Sequence, residues 1–235
     1  SFSDRTRPVA ALQANMTLDI IEPGLLTLVQ AAPYRGTRQL GMPYAGAADP
    51  VAMALANWLA GNGGEVAAIE TAYAALKIRA RQNVAVGVQG AATSVEINGQ
   101  ATATRQTIFL EPGDVLMIPA PSGGCRSYVA VHGGITRQDG LHFTSTYLPA
   151  SLGGFDGGTV PAGTILFGGS MSEARNLPAS HQLRYSMDFR LRVTVAPESD
   201  WVDLSALCDE SRIVSRRANR IGLELEGSPL KLYRD

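Results

Sequence analysis

Cysteine is almost missing from this 235-residue chain, which has only Cys125 and Cys208. Two such thiols exclude a disulfide framework and a four-cysteine zinc site. Histidine is equally scarce: His132, His142 and His181 are scattered, with no H-E-x-x-H or paired spacing, so no metal site is expected. Charged residues make up 17% and the net charge is −1, which points neither to nucleic acid nor to an acidic membrane as partner. No stretch reaches the ~18 apolar residues that a membrane-crossing helix needs. Gly87–Ser94 lacks the lysine of a phosphate loop, and no G-x-G-x-x-G follows a strand. Residues 1–15 carry Arg5 and Arg7 without an apolar centre, unlike a secretory signal. Met16 is a candidate start, with 1–15 an extension or remnant, and a cytoplasmic protein is expected.

Glycine (25) and proline (13) are plentiful beside a 45% hydrophobic content. That combination fits many short strands joined by tight turns. Strands are expected at Leu18–Ile21 and Leu25–Gln30, around the Glu22-Pro23-Gly24 turn, and at Ala75–Ala80 and Val84–Val88. Ser94–Ile97 and Ala101–Thr104 flank Asn98-Gly99, a strong hairpin signal. Thr107–Leu110, Val115–Ile118, Ser127–His132 and Thr164–Phe167 follow, with Leu191–Val195, Ile213–Ser215 and Leu223–Leu225 in a second unit. The expected class is mainly β, with barrel-like domains and one principal α-helix at about 50–61. The expected organisation is the 1–15 extension, a main domain over 16–185 and a partial second β domain over 186–235.

The most informative stretch is Gly41-Met-Pro-Tyr-Ala-Gly-Ala-Ala-Asp49-Pro50, which runs into that helix. Asp49 suits the N-cap, Pro50 the first turn and Gly61 the exit. Val51, Leu55, Trp58 and Leu59 are expected on its buried face. Flexible amides beside a helix N-terminus suit an anion or a carbonyl oxygen. A well-made strand-to-helix connection explains the same pattern. Asp49 reads as a cap or a base, and Glu70-Thr71 as a buried hydrogen-bonding pair. His132 reads as a half-buried structural histidine and Cys125 as a bystander. Arg212, Arg216, Arg217 and Arg220 would grip a carboxylate or phosphate, or form a solvated face. Ser145-Thr146 and Gly153-Gly154 lie in the glycine-rich stretch Gly140–Gly158, which reads as a ligand-orienting loop or a structural Ω-loop.

Taken in order, these blocks resemble the biotin-dependent carboxyltransferase family, which includes allophanate hydrolase subunit 2 and the C subunit of 5-oxoprolinase. The resemblance rests on Glu22–Gln30, the Gly41–Asp49 loop, Ala56-Asn57, Gly61-Asn62, Glu70-Thr71 and Gly90-Ala91. It continues through Arg126–Ile135, Ser145-Thr-Tyr147, Gly153-Gly-Phe155, Asp200-Trp201 and Asn219-Arg-Ile-Gly222. It implies cyclophilin-like β-barrel domains and ATP-dependent chemistry on a small amide. It also implies a companion of the type of allophanate hydrolase subunit 1 or the B subunit of 5-oxoprolinase. Biotin enters only if the urea carboxylase type applies. On this resemblance Asp49 and Arg220 are the catalytic candidates. Gly41, Pro43, Gly46, Asn57, Glu70, Ser145, Thr146 and Asn219 are the ligand-binding ones.

Departures from the family pattern are as informative. Ala31, Pro33 and Tyr34 stand where the family has an acidic residue and then Gly-Arg, Ala45 replaces a serine, and Thr144, Gly158 and Glu224 replace arginines. The family's C-terminal glycine-rich block is also not reached, which implies an incomplete second domain or a shortened variant. Most exchanges remove a charge or a hydroxyl and leave glycines and core positions alone. Two functions therefore stay open: a subunit of an amide-processing enzyme, or a non-catalytic binding or regulatory relative. A new polar set such as Glu198, Glu224 and Tyr34 is a third, weaker reading.

Overall fold

The computed structural model describes residues 16–139, 141–181, 183, 192, 194–195, 197–205, 210–217, 220 and 222–233. Its elements are β1 (Met16–Glu22), β2 (Leu26–Gln30), α1 (Pro50–Leu59), β3 (Ala68–Ala72), β4 (Leu76–Ala80) and β5 (Val84–Gly90). Then follow β6 (Ser94–Ile97), β7 (Gln100–Ala103), β8 (Ile108–Leu110), β9 (Val115–Ile118) and β10 (Arg126–Val131). The remaining strands are β11 (Ile135–Thr136), β12 (Ile165–Gly168), β13 (Ile213–Val214) and β14 (Leu225–Glu226). Two compact units divide the chain, Ser1–Met187 and Asp188–Asp235.

In the first unit the strands form two antiparallel sheets, ordered β11-β12-β1-β4-β9-β6-β7 and β2-β3-β10-β5-β8. The inward faces of both sheets share one core, including Leu18, Ile20, Ile78 and Leu116 from the first and Val29, Ile69, Val86 and Val129 from the second. Fold class thus follows the sequence reading, mainly β with one principal helix among the described residues. The expected barrels resolve into two open sheets, because no ladder among the described residues joins their edge strands. The layering is visible at β5, whose seven residues are all buried. A strand hidden on both faces needs a layer on each side. The other sheet supplies one layer and α1 the other.

The helix corrects one expectation. Val51 is 57% and Trp58 41% exposed. Of the expected face Leu59 is buried, and it is joined by Ala52, Met53, Ala56 and Asn57. Close approach explains the shift toward small residues. A Cβ on Gly87 of β5 would lie 2.0 Å from the Ala56 carbonyl oxygen, so the helix backbone rests almost directly on the sheet. Ala68, Tyr128 and Ala130 meet α1 in a second, smaller cluster.

Strand β3 holds Glu70 at its centre, where the sequence marks only a strand start, since Ala68–Ala72 is short and lacks alternation. In the second unit β13 and β14 pair as Ile213↔Glu226 and Val214↔Leu225. Parts of the expected Leu191–Val195 strand lie outside the described residues.

Candidate functional site

Asp49 caps α1, its Oδ1 accepting the Ala52 N–H at 2.9 Å. Two neighbouring loop amides turn inward rather than toward solvent. Ala48 N–H donates to Glu70 Oε2 at 3.1 Å, and Asp49 N–H to the Tyr128 hydroxyl at 2.8 Å. That hydroxyl donates in turn to Glu70 Oε2 at 2.8 Å. Glu70 is 1% exposed and forms an ion pair with Arg126 Nε at 3.5 Å. Burial, and next the Glu70 charge, push the Tyr128 phenol well above the usual tyrosine range, so it stays a neutral donor. Strands β3 and β10 pair Glu70 with Tyr128 directly, which is what sets this geometry.

Asn57 and Asn62 do similar work at the other end of the helix. Asn57 Nδ2 donates to the Val66 carbonyl at 2.9 Å, and its Oδ1 accepts from Asn62 Nδ2 at 3.0 Å. Asn62 also accepts the Gly133 N–H at 2.8 Å and donates to the Val131 carbonyl at 2.7 Å. His132 Nδ1 lies 2.8 Å from the Ala60 carbonyl oxygen, so it serves the helix end. Cys125 is an exposed free thiol.

The Ser145 and Thr146 hydroxyls are buried and face β2. Ser145 Oγ donates toward the Ala31 and Ala32 carbonyls, at 2.8 and 3.0 Å, and accepts the Ala31 N–H at 2.9 Å. Thr146 Oγ1 donates to the Val29 carbonyl at 2.8 Å. A Cβ on Gly154 would sit 1.8 Å from Thr146 Oγ1, so the glycine pair lets this loop fold tightly on itself. Tyr34 joins the same group, its hydroxyl donating to the Ser145 carbonyl at 2.7 Å.

A cavity of about 550 Å³ opens beside this scaffold. The loop Tyr44–Ala47, the first turns of α1 at Pro50, Met53 and Ala54, and Ala31 and Pro33 after β2 form its walls. Most of that lining is small and apolar. Its charged groups are Arg35 and Glu65, ion-paired at 2.5 Å and largely exposed. Ala45 and Gly46, with φ of 50° and 85°, turn the loop around the cavity. The volume suits a small ligand, and the apolar lining with a few polar groups is the usual make-up of such sites.

Of the residues singled out from the sequence, Gly46 lines this cavity, whereas Asp49, Asn57, Glu70, Ser145 and Thr146 build the frame behind it. Gly41 (φ 76°) closes a short 3-10 turn over Arg38–Leu40, and Pro43 leads from it toward the cavity. Arg220 is half-buried in the second unit, and Asn219 lies outside the described residues. In the basic run, Arg217 is paired with Glu224, and Arg212 donates to the Ser228 carbonyl at 2.7 Å. Sequence reading missed Arg35, Glu65, Tyr128 and Arg126. Only the cross-strand register brings Tyr128 to Glu70, and no local motif marks Arg35 or Glu65.

The carboxyltransferase domain family, subdomain A and B, matches residues 40–234. Over 222 residues the chain is 30% identical to the C subunit of the Escherichia coli 5-oxoprolinase, covering 93% of this chain and 71% of that protein. It is 27% identical to the urea amidolyase of Saccharomyces cerevisiae over 232 residues, 92% of this chain but 13% of that enzyme. The structure of the Kluyveromyces lactis urea carboxylase shares the fold, with a TM-score of 0.80 at 24% identity over 94% of this chain and 21% of that one. Another structure, of TTHA0988, aligns with a TM-score of 0.76 at 27% identity, covering 92% of this chain and 43% of that one. Matched along most of its length, and carrying the loop, helix and paired sheets described above, the chain belongs to the carboxyltransferase domain family.

Proposed function

We propose that this chain is a subunit or domain of an ATP-dependent amide-processing enzyme, of the 5-oxoprolinase or urea carboxylase type, that acts with a companion subunit in the cytoplasm. The observation that carries the reading is the cavity at the Gly41–Asp49 loop, one of the blocks on which the resemblance to the family rests. A small amide would place its apolar body against Pro33, Gly46 and Met53. Any carboxylate would meet Arg35, and amide N–H groups would meet Glu65. The frame behind the cavity, held by Glu70 and Tyr128, keeps the loop in place while a ligand enters.

The cavity does not fit a triphosphate. Its lining offers a single cation, Arg35, against the several negative charges of a triphosphate, so ATP is assigned to the companion subunit. Biotin enters only on the urea carboxylase reading. The test is ATP hydrolysis by the chain mixed with a companion resembling the B subunit of 5-oxoprolinase, with 5-oxoproline, urea or allophanate added. The expected result is turnover stimulated by one of these amides. Silence with all three, in a complex shown to assemble, counts against the reading.

A second reading, a non-catalytic binding or regulatory relative, has a specific observation in its favour. The side chains of Asn57, Ser145 and Thr146 are engaged in internal hydrogen bonds, and Ala45 leaves a methyl group on the cavity wall. Under that reading Ala45→Ser and Thr144→Arg would confer turnover on an inactive complex.

A further inference from the structure

A second and larger cavity of the first unit, about 970 Å³, lies away from the loop and helix already described. One wall is the outer face of the seven-stranded sheet at β11, β12 and the start of β1. Leu166 enters the core there, while its neighbours Ile165 and Phe167 turn outward and line the cavity with Met16. Elsewhere the outer face of the same sheet carries ion pairs, Asp19 with Arg81 and Lys77 with Glu22. An antiparallel sheet with one solvated face normally keeps that face polar throughout. The cluster of Met16, Ile165 and Phe167 departs from that pattern.

The opposite wall comes from the glycine-rich loop. Its Ser145 and Thr146 hydroxyls are spent on β2, but Phe143 and Phe155 line the cavity, their ring centroids 6.5 Å apart and tilted by 34°. The rim holds three charges. Arg137 lies 3.5 Å from Asp139 and 4.0 Å from Asp156, so two carboxylates share one guanidinium. Asp156, at the longer distance and with 83% of its side chain exposed, is the less engaged of the two carboxylates. Aromatic faces attract cations as well.

We infer that this cleft binds a small aromatic amine, its ring between the phenylalanines of the loop and of β12 and its ammonium group at Asp156. The inference is independent of the amide-processing reading and adds a second ligand site. An anion of the same shape is disfavoured, because Arg137 is already engaged by both carboxylates.

Calorimetric titration of the full chain with 2-phenylethylamine and with 3-phenylpropionate separates these cases. The expected result is saturable binding of the amine, at least about tenfold tighter than the acid and weakened about fivefold by Asp156→Asn. Asparagine tolerates the left-handed backbone found at this position (φ 50°), so the variant keeps its fold. Phe167→Thr, on the outer sheet face, should abolish saturation. Absence of saturable amine binding overturns the inference, as does equal or tighter binding of the acid, or an unchanged affinity in Asp156→Asn.

Discussion

The Tyr128 hydroxyl stands between a carboxylate and a backbone amide: it donates to Glu70 Oε2 at 2.8 Å and accepts the Asp49 N–H at 2.8 Å. One side chain of the central sheet thereby fixes the residue that starts the helix. The loop bordering the 550 Å³ cavity is held from inside the protein, which leaves its outer side for a ligand.

Removing the hydroxyl tests this link. Tyr128→Phe takes a donor from buried Glu70 and an acceptor from the Asp49 amide, at a cost of about 1–3 kcal/mol. Urea unfolding should show a lower midpoint with an unchanged slope. Amide exchange at Ala48 and Asp49 should quicken in the same variant. Equal stability of the two proteins would mean that this bridge does not hold the loop.

The same phenol makes stability depend on pH at the alkaline end. Its native pKa is raised above the ordinary 10.0, by burial first and the Glu70 charge second. Above that ordinary value the unfolded chain releases a proton that the folded chain keeps. The unfolded state then binds fewer protons, so stability falls as pH rises, by up to about 1.4 kcal/mol per pH unit for one group. Below that point the contribution is fully present. The stability gap between wild type and Tyr128→Phe should thus narrow between pH 9 and 11, as followed by chemical denaturation. A constant gap would contradict the raised pKa.

Local chemistry made much of the fold legible. Asn98-Gly99 marked its hairpin, and Asp49-Pro50 marked the helix start, because these signals act over a few residues. The buried face of α1 was not legible. It is set by Gly87, about thirty positions away, whose missing side chain admits the helix and selects alanines over Val51 and Trp58. Ser145 and Thr146 announced polar chemistry correctly, but not its direction. Sequence shows that a hydroxyl is present, and only the docking of the loop on β2 shows that backbone carbonyls receive it.

Gly87 offers a sharp check on that packing. In Gly87→Ala the new methyl would meet the Ala56 carbonyl oxygen at 2.0 Å and Leu59 Cβ at 2.8 Å, so the helix must lift. A loss at the upper end of the ~1–3 kcal/mol typical of overpacking is expected. Gly63→Ala is the control, since nothing lies within 4 Å of its added Cβ. Thermal unfolding should separate the two variants clearly. Equal midpoints would refute the close contact of helix and sheet.

The Arg35–Glu65 pair separates a role in binding from one in stability. Both side chains are mostly exposed, at 69% and 57%, so Arg35→Ala should change stability by less than ~1 kcal/mol. If the cavity takes a carboxylate-bearing amide, the same variant loses a charge-assisted contact, and KM should rise about tenfold. Ala54→Phe, on the cavity-facing side of α1, should remove turnover by filling the space, at a helix-propensity cost of only ~0.5 kcal/mol. Unfolding midpoints and steady-state kinetics of the assembled complex give both readings. A complex in which neither variant alters turnover would place the amide outside this cavity.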